Sequence, residues 1–131
     1  MTDDSQLEQV AHEIIGAGLD VHRNLGPGLM ESVYEICLTS EIQGRGLRVE
    51  RQKPFPVHYR GFRLDCSYRL DLLVEDLIIV EIKSVETILP LHKAQLLSYL
   101  RLSGYRLGLL INFDVSRLKD GIRRIIHGYS K

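Results

Sequence analysis

The sequence predicts a mixed chain of α/β content and α+β arrangement, running helix, helix, three strands, helix, strand. Three observations predict it. Apolar residues near the N-terminus recur at helical spacing. The stretch Arg69 to Val85 (RLDLLVEDLIIVEIKSV) is β-prone and one of its two parities is almost wholly apolar. Pro90 and Gly104 frame a further helix ahead of a last apolar run. No internal repeat or low-complexity segment interrupts this order.

From Ser5 to about Arg23, with Leu25 just beyond, Leu7, Val10, Ala11, Ile14, Gly18 and Val21 fall at three- and four-residue steps, the signature of an amphipathic helix. Ser5 and Glu8 have the spacing of a capping box. Asn24 to Gly28 (NLGPG) breaks the chain, and a second helix is expected from Leu29 to Gly44 or Gly46, with Met30, Val33, Cys37, Leu38 and Ile42 as its core stripe. Glu31 sits in its first turn on the side of Tyr34, where a carboxylate also complements the helix dipole.

Arg48 to Tyr59 reads as a strand whose Pro54 and Pro56 suit an edge, and Arg60-Gly61 turns it into a long strand from Phe62 to Val74. That length predicts a bend or bulge near Cys66-Ser67. A strand from Leu77 to Val85 and a connection over Glu86 to Leu89 lead to a helix from Pro90 to Ser103, ended by Gly104. On it His92, Gln95, Tyr99 and Leu102 form one stripe and Leu96, Leu97 and Leu100 the apolar one beside it. Tyr105 to Phe113 is a buried strand, followed by a polar turn over Asp114 to Asp120 and a short apolar segment, Ile122 to Ile126.

The stretch from Arg69 to Val85 carries the chemistry. Residues two apart in a strand share a face, so Glu81 and Lys83 project together. Glu75-Asp76 is the polar break between the two strands. A three-residue loop at Glu75, Asp76 and Leu77 sets Asp71 opposite Glu81; a two-residue loop sets it opposite Val80. In the first register two carboxylates stand roughly 5 Å apart at Cβ, with Lys83 one step on. Like charges that close need a counter-charge, which Lys83 or a hard cation such as Mg²⁺ provides.

Composition narrows the classes. The 131 residues fit one domain over 1–131, and 44% hydrophobic with 26% charged residues is ordinary for a globular chain. No apolar run approaches the roughly 20 residues of a bilayer span, and the acidic N-terminus MTDDSQLEQV lacks a signal-peptide pattern, so a cytoplasmic protein with no membrane partner is expected. Cys37 and Cys66 are too far apart for a close-spaced zinc pair and are read as reduced packing residues. With 17 basic against 17 acidic residues, nucleic-acid binding must be local. The basic groups Arg45, Arg48, Arg51 and Lys53, then Arg60, Arg63 and Arg69, then Arg117, Lys119, Arg123 and Arg124 are either such patches or solvated faces.

The heptad Gly28 to Tyr34 (GLMESVY) resembles the pattern of the GxxExxY proteins, a branch of the PD-(D/E)xK nuclease-like superfamily. HRNLGPG at 22–28, RLDLLVE at 69–75, VEIK at 80–83, HKAQLLSYL at 92–100 and GLLINF at 108–113 are also similar to the family, so the resemblance covers about residues 8–128. It implies a restriction-endonuclease-like core, a mixed central β-sheet flanked by helices, with the site where the second and third core strands diverge. It implies Asp71 and Glu81 as acidic metal ligands, Lys83 as the catalytic lysine, the Ile82 carbonyl in the metal shell, Gln95 as the glutamine of the following helix, and Glu31 as the acidic residue of the first core helix. The superfamily's proline is absent, since Leu70 precedes Asp71.

The expected activity is phosphodiester hydrolysis with Mg²⁺ or Mn²⁺, on DNA ahead of RNA. A cation on Asp71, Glu81 and Glu31 activates water, Lys83 stabilises phosphoryl charge and Gln95 orients water or substrate. Tyr34, Tyr99 and His22 either line the groove or pack helices. Two other readings stand beside it: a non-catalytic module binding nucleic acid or protein, and hydrolysis of a smaller phosphoester such as a nucleotide. A homodimer would extend the small surface for gripping a duplex.

Overall fold

The computed structural model describes residues 4–128, without the side chains of 65–67. Helices α1 (Asp4–Leu25) and α2 (Glu31–Gly44) precede strands β1 (Val49–Tyr59), β2 (Phe62–Val74) and β3 (Ile78–Lys83). Helix α3 (Pro90–Ser103) leads to β4 (Leu107–Asn112), and a 3₁₀ turn at Leu118–Gly121 leads to β5 (Ile122–Ile126). The five strands form one sheet in the order β1-β2-β3-β4-β5, antiparallel throughout except between β3 and β4. The crossover through α3 makes that one pair parallel. The result is the expected mixed sheet flanked by helices, with the proline-bearing β1 on an edge.

Two cores lie on opposite faces. Ile14, Val21, Tyr34, Leu38 and Ile42 of the first two helices pack on Leu72, Val80, Ile82, Leu109 and Ile111. Leu96, Tyr99 and Leu100 of α3 pack on Leu70, Leu73, Ile79 and Leu110. Strand β4, between β3 and β5, is buried along its whole length, as a strand covered on both faces must be. Gly121 lets the chain pass against the end of β4, because a Cβ there would lie 2.2 Å from the Asn112 carbonyl oxygen. Gly121→Ala is therefore expected to cost roughly 3 kcal/mol or more in urea unfolding, since backbone rather than a side chain must move.

The β2–β3 loop holds three residues, because Val74 pairs with Ile78. Glu75 and Asp76 both take positive φ, +54° and +53°, an arrangement that normally favours Asn and Gly. Side-chain bonds hold it: Glu75 Oε2 accepts from Arg48 N–H (2.6 Å) and Nε (3.3 Å), and Tyr105 Oη donates to Asp76. The β1–β2 ladder shifts register between Pro56 and His58, opposite the segment from Arg63 to Ser67, which is the irregularity expected near Cys66-Ser67.

Three local expectations are corrected. Helix α2 begins at Glu31 and not at Leu29, and its buried residues are Tyr34, Glu35, Leu38, Thr39 and Ile42. Met30 and Val33 lie outside the core, Met30 being 72% exposed, because Tyr34 is the residue that plugs into the sheet and turns the helix with it. Ser5 lies within α1, one residue past its first, so it is not the cap. The terminal segment Ile122 to Ile126 is a strand. Cys37 is a half-buried free thiol, whereas the Cys66 side chain lies outside the described residues.

Candidate functional site

β2 and β3 pair up to Leu72–Val80, and one step further Asp71 stands opposite Glu81. There the carboxylates take over from the ladder. The Asp71 N–H donates to Glu81 Oε2 at 2.9 Å, and the Ile82 N–H donates to Asp71 Oδ2 at 2.8 Å. Each side chain thus caps the other's strand at the point where backbone pairing ends. The second oxygen of each accepts no hydrogen bond among the described residues.

Burial, then the neighbouring Asp71 charge, pushes the Glu81 carboxyl up to about 8. Burial also raises Asp71, and the Glu35 and Glu31 carboxylates add to it, while the Lys83 ammonium lowers both members of the pair. Two close carboxylates that resist shared ionisation and each keep a free oxygen suit a hard cation, which binds such oxygens and retains several waters. Among the described residues no three His, Cys, Asp or Glu side chains converge on one point, so backbone and solvent would have to supply its remaining donors.

A linkage follows for the cation-free chain. Between about pH 4.5 and 8 the folded form keeps a proton on Glu81 that the unfolded form gives up, so stability falls as pH rises through that window. Glu81→Gln keeps an acceptor for the Asp71 N–H and removes the charge. In EDTA the variant is expected to match the parent near pH 4.5 and to exceed it at pH 8, by on the order of 1–2 kcal/mol for a pair that titrates together. Thermal melts at the two pH values check this.

Around the pair stand the other expected residues. Glu31 Oε2 accepts from the Ser84 N–H at 3.3 Å, and Ser84 Oγ donates to the Leu29 carbonyl at 2.6 Å, so the start of α2 is tied to the end of β3. Gln95 is exposed on α3 and lines a groove of about 310 Å³ with Tyr68, Leu91, His92, Ser98, Tyr99 and Leu102. Tyr99 is 7% exposed, and its hydroxyl is pushed up to about 12 by burial first and then by the Glu81 carboxylate. That ring therefore belongs both to the α3-side core and to the surroundings of the pair.

Of the groove candidates, Tyr34 is instead a packing residue, while half-buried His22 lines a separate pocket with Arg23, Arg117 and Lys119. Tyr34 is fully buried, stacks on Phe113 at 4.4 Å and 7°, donates its hydroxyl to the Gly26 carbonyl (2.6 Å) and accepts from the Leu29 N–H (3.1 Å). It clamps the glycine turn in place. His22 Nε2 bonds the Val115 carbonyl at 2.8 Å and lies beside Phe113, joining α1 to the loop after β4.

Sequence reasoning passed over Glu35. It is 7% exposed and accepts from Arg51 Nε and Nη2 (3.2 and 3.1 Å) and from Gln52 Nε2 (2.7 Å). Successive strand residues normally point to opposite faces, and Gln52 joins Arg51 here with φ at +50°, in the stretch of β1 that faces Asp71. A glutamate beside the buried Tyr34 was the available signal. The first basic group is not a free patch: Arg45 pairs with Glu13 and Asp20, Arg48 with Glu75, Arg51 with Glu35 and Lys53 with Glu50. Among the described residues no helix is long and apolar enough to cross a membrane.

The family model of the PD-(D/E)XK nuclease superfamily matches residues 8–125. No curated protein matches the sequence. Among solved structures, the crystal structure of SSO0001 is similar at 24% identity and a TM-score of 0.56, over 76% of this chain and 52% of that one. The chain spans about half the length of that protein, and the likeness concerns the fold.

Proposed function

Because the chain belongs to the PD-(D/E)XK nuclease superfamily, we propose that it is a metal-dependent nuclease of the GxxExxY branch that hydrolyses phosphodiester bonds, in DNA ahead of RNA. The observation that carries this reading is the Asp71–Glu81 pair, each carboxylate tied to the other's strand by one oxygen and open at the second, with Lys83 following on the same face. The reading takes residues 1–131 as one nuclease-like domain.

In this scheme Asp71, Glu81 and the Ile82 carbonyl would hold Mg²⁺ or Mn²⁺, with Glu31 at the margin. Such an ion, when bound, supplies Lewis-acid activation of water and of the phosphodiester. Lys83 places a positive charge where the phosphoryl oxygens gain negative charge and orients the attacking water. Gln95, on α3 in the groove that Tyr99 also lines, donates to substrate or water. Glu35, fixed by Arg51 and Gln52, keeps the surroundings of Asp71 negative and so favours cation loading.

The test is cleavage of single-stranded, double-stranded and branched DNA and RNA with Mg²⁺ or Mn²⁺ against EDTA. Metal-dependent cutting is expected. A folded chain that cuts nothing and binds no divalent ion in calorimetry would instead favour the non-catalytic module binding nucleic acid or protein.

A further inference from the structure

Beside the carboxylate pair lies the groove of about 310 Å³ between α3 and β2, walled by Tyr68, Leu91 and Leu102 and edged by Gln95, Ser98 and His92. Among the described residues its lining holds no Lys, Arg, Asp or Glu. A phosphate would find no cation there. A flat, apolar group with donors and acceptors on its rim would find aromatic and aliphatic walls, an amide and a hydroxyl.

Tyr68 is 45% exposed, yet its ring is held from behind, 5.9 Å from Phe55 and 5.3 Å from Tyr99. It is therefore a fixed stacking platform whose open surface costs little entropy to use. It lies three residues from Asp71 along β2, roughly 10 Å. Tyr99, which also lines the groove, feels the charges of both Glu81 and Asp71. The groove thus opens beside the pair, within reach of a nucleotide whose phosphate sits there.

Resting on the nuclease reading, we infer that this groove takes an unstacked nucleobase against Tyr68, so that the substrate is single-stranded nucleic acid. A base paired within a duplex is stacked on both faces and has its hydrogen-bonding edge occupied, so it cannot enter. The charge pattern agrees. Arg48 just before β1 and Arg51 and Lys53 within it, which would grip a second strand, are spent on Glu75, Glu35 and Glu50, and the net charge is zero.

The test measures fluorescence anisotropy of labelled dT12 and of a 12-base-pair duplex with the full chain, in Ca²⁺, for the parent, Tyr68→Ala and Tyr68→Phe. The parent is expected to bind dT12 at least about tenfold more tightly than the duplex. Tyr68→Ala is expected to lose about tenfold on dT12 alone, and Tyr68→Phe, which keeps the ring, to restore it. Equal or tighter duplex binding, an unchanged dT12 affinity in Tyr68→Ala, or failure of Tyr68→Phe to restore it overturns the inference. So does a parent that binds neither probe, whether or not it self-associates through this face. Tyr68-dependent binding without cleavage in any metal would leave the groove standing and sink the nuclease. Duplex cleavage indifferent to Tyr68 would do the reverse.

Discussion

Asp71→Asn is expected to lower metal-dependent cleavage by roughly a hundred- to a thousandfold while leaving the fold intact. The amide oxygen still accepts the Ile82 N–H, so the cap on β3 survives and what is lost is the charge that a cation needs. Removing that charge also relieves Glu81, whose carboxyl is raised in part by it. The variant should therefore melt no lower than the parent in EDTA, a result that separates lost chemistry from lost structure. Lys83→Ala is expected to match it in rate with metal binding retained, because the ammonium acts on the reacting phosphate and not as a ligand. Cleavage rates beside calorimetric metal titrations of both variants check this. A Lys83→Ala protein that cuts normally would remove the lysine from the mechanism.

Tyr34→Ala is expected to cost about 4 kcal/mol in urea unfolding. The ring is fully buried and stacked on Phe113, and its hydroxyl holds the turn at Gly26 and Leu29. Tyr34→Phe keeps the stacking and loses the two hydrogen bonds, for roughly 1–2 kcal/mol. The difference between the variants divides packing from turn anchoring. Because Leu29 and Glu31 are both bonded to Ser84, loosening this turn should also raise hydrogen exchange at Ser84, just past Lys83.

Much of the site could be read in the chain because it is local. Asp71 and Glu81 are ten residues apart on a hairpin, and a three-residue loop with period-two alternation suffices to bring them face to face. Residues brought in from α2 were harder to read. Tyr34 and Glu31 sit one turn apart in the same motif, yet one is a fully buried plug and the other an exposed carboxylate on Ser84. Helical spacing places them on one side but does not say how the helix is rotated against the sheet. The apolar residues Met30 and Val33 pointed to the wrong rotation, because apolar character does not by itself decide burial.

The sequence by itself determined the order of elements, the edge position of a strand with two prolines, and a hairpin that carries two carboxylates and a lysine in one of two registers; the three-residue loop of the folded chain chose the register that opposes them. These follow from sterics and periodicity acting over a few residues. Only the tertiary structure decided which charges are spent and which stand open. The basic residues in and just before β1 meet partners 3 to 27 residues away, Glu35 is reached by two neighbouring side chains because one residue takes positive φ, and three rings from β1, β2 and α3 assemble at Tyr68. Such pairings depend on distances across the fold, which local pattern does not encode.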